Sequence, residues 1–208
     1  MPRTPAMARL LIALDALAFA CIPVAHAQLY AKEAPPGSAF IQVFNGTATA
    51  GINVQIGGRS QPPLLPYTAS PYIFLRPAIY AVEAGSHKQT FALHADHYYT
   101  VAATADGLRF FDLHEPPSMF KAALVLFNLV PGVPLTLKTA DGATPIFDAV
   151  ARDESARRSI NPLTLNLALF SGDRKIATAP PISLQRGQSF SLFASGSEVT
   201  PVLVWSKD

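Results

Sequence analysis

The residues best suited to chemistry lie in one short segment, His94-Ala95-Asp96-His97. Imidazole and carboxylate groups are the common general acids and bases of enzymes and common ligands of metal ions. In an extended strand, His94 and Asp96 would share one face while His97 pointed to the other. A metal needs three or four convergent ligands, and no second cluster of suitable spacing accompanies this segment. The sequence therefore predicts a polar loop leading into a strand, with no metal and no cofactor.

A catalytic nucleophile is not recognisable in the sequence. The G-x-S-x-G elbow is absent, and so is the Gly-Asp-Ser block of many ester-acting hydrolases and transferases. The nearest match, Gly172-Asp173-Arg174, lacks the serine and is typical of a hairpin turn. His87 and His114 are isolated in the sequence, which indicates surface positions. We therefore predict no catalytic residues and no enzymatic activity of the chain's own.

Basic and aromatic side chains offer a second kind of site. Arg157 and Arg158, with Arg152 and Arg186, could form a patch for an acidic polysaccharide; the alternative is a solvated loop balanced by neighbouring carboxylates. Aromatic rings could stack on sugars, although aromatic residues of strands more often pack in cores. The aromatic residues considered are Tyr67, Tyr72, Tyr80, Tyr98, Tyr99 and Trp205.

Most of the chain alternates between apolar and polar residues, the pattern of half-buried β-strands. The leucines of Leu163–Leu169 recur at every second position, and Ile52–Ile56 alternates in the same way. Nineteen prolines exclude long helices, so the one helix candidate is the short segment Asp153 to Arg158. Asp106-Gly107 and Asp141-Gly142 each separate two strand candidates and predict type I′ hairpin turns.

The strand pattern is duplicated. Ser38–Asn45 resembles Lys121–Asn128, and each is followed by a short loop and an alternating strand. We therefore predict an all-β protein of two small β-sandwich domains in tandem, after a cleaved signal peptide. The predicted boundaries are 1–27 for the signal peptide, 28–115 for the first domain, 116–120 for the linker and 121–208 for the second domain.

One predicted strand, Ala122–Phe127, is apolar on both faces. A strand of a two-layer sandwich usually shows one face to water. Either the other domain or a loop covers the second face, or Val125 and Phe127 contact a partner protein.

The first 27 residues predict export. Arg3 and Arg9 precede the apolar run Leu10–Ile22, and Ala25-His26-Ala27 fits a cleavage site. Lipidation at Cys21 is the alternative. Cleavage after Ala27 would remove the only cysteine and leave a nearly neutral chain, without the electrostatic footprint of a nucleic-acid binder.

The sequence resembles the AlgF family of periplasmic accessory proteins in exopolysaccharide O-acetylation. The resemblance extends over residues 28–205 and is carried by short motifs in order. These include Pro35–Phe40, Ala95–Thr100, Leu135–Gly142, Ile160-Asn161-Pro162 and Leu167–Ile176.

The resemblance implies a non-catalytic, periplasmic adaptor with two β-rich domains. Its partners would be a membrane-bound O-acyltransferase and a periplasmic SGNH-type acetyltransferase, and the polymer would be alginate or, as the alternative, cellulose. The alternatives are a polysaccharide-binding module and an O-acetyltransferase with an unrecognised site. The candidate contacts to a partner or polymer are Arg157, Arg158, His97, Tyr98, Val125 and Phe127.

Overall fold

The computed structural model describes residues 34–48, 51–114 and 119–207, and every regular element in these residues is a β-strand. The strands of the first half are β1 Ala39–Asn45, β2 Ile52–Ile56, β3 Arg59–Leu64, β4 Ile73–Leu75, β5 Ala78–Ala84, β6 His87–Leu93, β7 Tyr98–Thr104 and β8 Gly107–Leu113. The strands of the second half are β9 Ala122–Asn128, β10 Leu135–Thr139, β11 Pro145–Val150, β12 Ser155–Ile160, β13 Thr164–Leu165, β14 Leu167–Ser171, β15 Arg174–Thr178, β16 Ile182–Ser183, β17 Ser189–Gly196 and β18 Pro201–Lys207. The predicted all-β class is confirmed.

The two halves repeat one topology. The first half has two sheets with the orders β4-β1-β7-β8 and β3-β2-β5-β6. The second half repeats them as β12-β9-β17-β18 and β11-β10-β14-β15, with a small β13-β16 pair added. In each half the central pair, β1 with β7 and β9 with β17, is parallel. The duplication inferred from the sequence is therefore also present in the strand pairing.

Three hydrophobic clusters place the four large sheets in layers. The first cluster fills the first half and includes Ile41 and Val82, while the second fills the second half and includes Leu126 and Leu169. The third lies between the halves, against the sheets that contain β1 and β9. These two inner sheets are covered on both faces, which is why their central strands are apolar on both faces.

The apolar strand β9 divides its side chains between two of these clusters. Leu124 and Leu126 face the core of the second half. Val125 and Phe127 are 0% exposed and pack with first-half residues such as Phe44 and Phe111. The structure therefore favours the covered alternative, and neither side chain is accessible at the surface.

Aromatic stacking connects the halves. The Phe193 ring lies 3.9 Å from that of Phe44 and 4.7 Å from that of Phe127, centroid to centroid, and the rings of both pairs are stacked nearly parallel. Ion pairs border this contact, with Arg109 Nε 2.8 Å from Asp153 Oδ2 and Arg152 Nη2 2.7 Å from Asp106 Oδ2. The predicted domains thus pack against each other as parts of one compact unit.

Three local predictions were wrong. The helix candidate Asp153 to Arg158 is instead a turn at Asp153, where φ is +62°, followed by the first four residues of strand β12, which pairs antiparallel with β9. This edge pairing outweighs the weak helical preference of a short polar segment. The β7–β8 turn consists of Ala105 and Asp106, one residue earlier than predicted, and Gly107 alone has a positive φ, +131°. Neither this turn nor the one at Asp141-Gly142, where Gly142 alone has a positive φ (+79°), is therefore a type I′ turn.

Several predictions fall outside the described residues. The signal peptide, Cys21 and linker residues 116–118 lie there, and the domain boundaries remain predictions. Among the residues that are described, no helix has the length and apolar character required to cross a membrane.

Candidate functional site

Four of the six candidate contact residues lie near one groove between the halves. The groove, about 330 Å³ in volume, separates the edge strands β8 and β12. Arg157 and Arg158 line it from β12, and Asp112 and His114 line it from β8 and the residue that follows. Its remaining lining residues are Leu113, Ser155 and Ser159. We call it the interdomain groove.

His97 joins this region through hydrogen bonding. Its Nδ1 lies 2.9 Å from Oδ1 and 3.1 Å from Oδ2 of Asp112. His114 Nδ1 lies 3.7 Å from Asp112 Oδ1, and the ring centroids of His97 and His114 are 4.6 Å apart. We call His97, Asp112 and His114 the histidine cluster. The predicted polar loop that leads into β7 is present, and it places His97 beside two residues that the sequence analysis had not connected with it.

The register of β7 with β8 explains why His97 lies beside Asp112 and His114. Tyr98 pairs with Leu113 and Tyr99 pairs with Asp112, so His97 and His114 are the next pair beyond the strands. A turn at Asp106-Gly107 would have shifted this register by two residues and moved His97 away from His114. The Asp-x-His spacing of Asp112 and His114 was the available signal, since residues two apart in a strand share a face.

Tyr98 is packed beside the groove and is not a free stacking platform. Its ring stacks on Phe40 at 4.5 Å and meets the edge of Tyr72 at 5.6 Å. Burial raises the pKa of the Tyr98 phenol, the Asp96 carboxylate raises it further, and the Arg157 guanidinium lowers it in part. The phenol therefore stays protonated at neutral pH and can donate a hydrogen bond.

The interdomain groove contains all three residue types of a serine triad. Ser155, Ser159, His114 and Asp112 line it together. Activation of a serine needs its hydroxyl within hydrogen-bonding reach of a base. Within 34–48, 51–114 and 119–207, no serine hydroxyl makes a hydrogen bond to a histidine ring. The arrangement orients His97 and His114 against a carboxylate, and no serine of the described residues is hydrogen-bonded to either ring.

Comparison with known proteins assigns the family. A family model described as "Alginate O-acetyl transferase AlgF" matches residues 11–191. The chain belongs to the AlgF family.

The relatives span most of the chain. It is 34% identical over 179 residues to the alginate biosynthesis protein AlgF of Pseudomonas aeruginosa, over 86% of this chain and 82% of that protein. It is 37% identical over 183 residues to the alginate biosynthesis protein AlgF of Azotobacter vinelandii, and the match covers 87% of this chain and 83% of that protein. The resemblance to the AlgF family inferred from sequence motifs is therefore confirmed.

Two solved structures of AlgF domains from P. aeruginosa are also similar. The C-terminal domain has 40% identity and a TM-score of 0.39, and it covers 43% of this chain and 99% of that structure. The N-terminal domain has 26% identity and a TM-score of 0.36, and it covers 38% of this chain and 98% of that structure.

A larger cleft of about 610 Å³ lies at the opposite end of β7 in this AlgF-family chain. It is lined by strand ends of both halves, including Thr104 and Gly196, and by Arg152. The Arg152 guanidinium is already paired with Asp106 and lies 3.4 Å from an Asp153 oxygen. The cation of Arg152 is therefore already paired with carboxylates in this cleft.

Proposed function

We propose that this AlgF-family chain is a periplasmic, non-catalytic adaptor in the O-acetylation of alginate. It would connect a membrane-bound O-acyltransferase with a periplasmic SGNH-type acetyltransferase. The observation that carries the proposal is the site geometry: Ser155, Ser159 and His114 line one groove without any serine–histidine hydrogen bond among the described residues. The names of the relatives connect them with alginate biosynthesis, and the family description connects the family with alginate O-acetylation.

The packed contact between the two halves, here called the joint, supports an adaptor role. Stacked phenylalanines and the ion pairs of Arg109 and Arg152 fix the two inner sheets against each other. A fixed joint holds surfaces of both halves in one orientation, which lowers the entropic cost of binding partners. Within the interdomain groove, Arg157 and Arg158 supply positive charge for an acidic surface or for the uronate groups of the polymer.

Affinity capture tests the bridge. The tagged chain should recover both the acyltransferase and the SGNH-type transferase, and loss of the chain should remove acetyl esters from secreted alginate. Arg157→Glu with Arg158→Glu should weaken capture of at least one partner, whereas Arg186→Glu, an exposed arginine on a loop of the second half, should not. An acetylation defect without capture of either enzyme would refute the bridge.

A second candidate function is acetyl transfer by the chain itself, with Ser155 or Ser159 as nucleophile. It is favoured by the placement of these serines beside the histidine cluster and by the transferase in the family description. Purified chain should then turn over a nitrophenyl acetate or an acetylated donor, and Ser155→Ala or Ser159→Ala should abolish turnover. Such a result would replace the adaptor assignment; no turnover above the rate of free imidazole would remove the enzyme alternative.

A further inference from the structure

The histidine cluster has the composition of a metal site. His97, Asp112 and His114 each offer one ligand atom, and all three atoms lie within 4.8 Å of one another. Two imidazoles and one carboxylate suit zinc and neighbouring divalent transition metals. We propose that His97, Asp112 and His114 bind one divalent transition-metal ion of the zinc class, leaving one coordination position open.

The distances between ligand atoms fit a single ion. Zinc binds imidazole nitrogen and carboxylate oxygen at about 2.0–2.2 Å, so two ligand atoms of a tetrahedral site lie about 3.3 Å apart. In the cluster, Asp112 Oδ1 is 2.9 Å from His97 Nδ1 and 3.7 Å from His114 Nδ1. These two edges lie on either side of the tetrahedral value. The third edge, between the two histidine nitrogens, is no longer than 4.8 Å, and side-chain rotations would have to bring all three edges to the tetrahedral value.

The strands hold the ligands in place before any metal binds. Asp112 lies in β8, in register with Tyr99 of β7, and His114 and His97 flank this pair at the ends of the same hairpin. The His97 ring also stacks on that of Tyr99, which is fully buried, with centroids 5.8 Å apart. Ligands that already converge lose little conformational freedom on binding, which favours affinity.

The cluster is also accessible to solvent. The His97 and Asp112 side chains are 25% and 27% exposed, and that of His114 is 70% exposed. An ion could therefore enter from the surface, and a water molecule or a partner side chain could take the fourth position. Arg157 and Arg158 line the adjoining groove and oppose a cation, so binding depends on direct coordination by all three ligands.

Metal titration of the purified chain, first stripped with a chelator, tests the proposal. Zn²⁺ should bind with 1:1 stoichiometry by calorimetry, and Co²⁺ should give the visible absorption of a four-coordinate site. His114→Ala and Asp112→Asn should each weaken binding at least about tenfold, the loss that even outer-shell partners of metal ligands produce. His87→Ala, which removes a histidine outside the cluster, should bind as the wild type does.

Two results would overturn the site. One is absence of Zn²⁺ and Co²⁺ binding at millimolar metal, and the other is equal affinity of the wild type and His114→Ala. Circular dichroism checks the fold of each variant. Because His114 is largely exposed, His114→Ala should keep the wild-type fold and decides the question even if Asp112→Asn unfolds.

Discussion

Two asparagines fix equivalent turns at the ends of β1 and β9. The Asn128 amide donates to the carbonyls of Val133 and Val150, and its Oδ1 accepts from the Val130 N–H. Asn45 makes the same kind of set, donating to the carbonyls of Leu64 and Leu65. Both side chains are 0% exposed. A buried amide that satisfies three backbone groups specifies its loop more strongly than packing alone would.

Replacing Asn128 with alanine should therefore lower the free energy of unfolding by roughly 2–4 kcal/mol, because buried backbone groups lose their partners. Chemical denaturation of the purified chain measures the change. Asn161→Ala is the matched control: this asparagine is exposed, and its replacement should change the stability by less than about 0.5 kcal/mol. Equal effects of the two variants would show that the Asn128 hydrogen bonds are not stabilising.

Tyr98 gives the stability a dependence on alkaline pH. Its folded-state pKa is raised, chiefly by burial and then by Asp96, above the ordinary value near 10. The folded state therefore retains a proton that the unfolded chain has already lost, and the free energy of unfolding falls as pH rises above about 10. Denaturation of the wild type and Tyr98→Phe at pH 8 to 11 should show a smaller fall in the variant. Parallel pH profiles would contradict this assignment.

At the scale of elements, tight hairpins depend on glycines with positive φ. Gly172, in the β14–β15 turn, has a φ of +58° and open space where a Cβ would stand. Gly196, at the end of β17, has a φ of +83°, and an added Cβ would lie 2.8 Å from the Thr200 carbonyl oxygen. At both positions a residue with a Cβ would be strained by the left-handed backbone. Only at Gly196 would that Cβ also clash with a neighbouring atom.

Alanine at the two glycines should therefore separate these effects. Gly172→Ala should cost about 1–2 kcal/mol of stability, the penalty of a left-handed residue, while Gly196→Ala should cost clearly more. Thermal unfolding monitored by circular dichroism measures both. A Gly196→Ala variant no less stable than Gly172→Ala would mean that the β17–β18 turn relaxes freely.

Strands in which apolar and polar residues alternate strictly were predictable from the sequence. Strands that exist because they pair with the edge of another strand were not. Leu165, Leu167 and Leu169 are buried in the second-half core as their spacing predicted, although the segment is divided between β13 and β14. β12 has no such pattern and exists because the edge of β9 pairs with it. The histidine cluster was missed because its formation depends on a hairpin register that shifts with the position of the turn. Contact between the halves was predicted only as one of two explanations for the apolar strand.

For the whole molecule, we expect the stacked rings of Phe44, Phe127 and Phe193, called here the aromatic joint, to determine whether the halves unfold together. Phe193 belongs to the cluster between the halves, whereas Phe190, on the same strand, belongs to the core of the second half. Both side chains are almost fully buried. Truncating either ring should cost about 3–5 kcal/mol, but only the change at Phe193 removes contacts across the joint.

Phe193→Ala should therefore uncouple the halves, while Phe190→Ala should destabilise the chain and leave unfolding cooperative. Trp205 is the only tryptophan and packs against the second-half core, so its fluorescence reports on that half, whereas far-ultraviolet circular dichroism reports on both. Denaturant transitions by the two probes should coincide in the wild type and in Phe190→Ala and should separate in Phe193→Ala, because non-coincident probes mark a loss of two-state behaviour. Coincident transitions in Phe193→Ala would mean that the ion pairs of Arg109 and Arg152 couple the halves without the aromatic stack. In that case Arg109→Ala combined with Phe193→Ala would be the variant expected to separate the transitions.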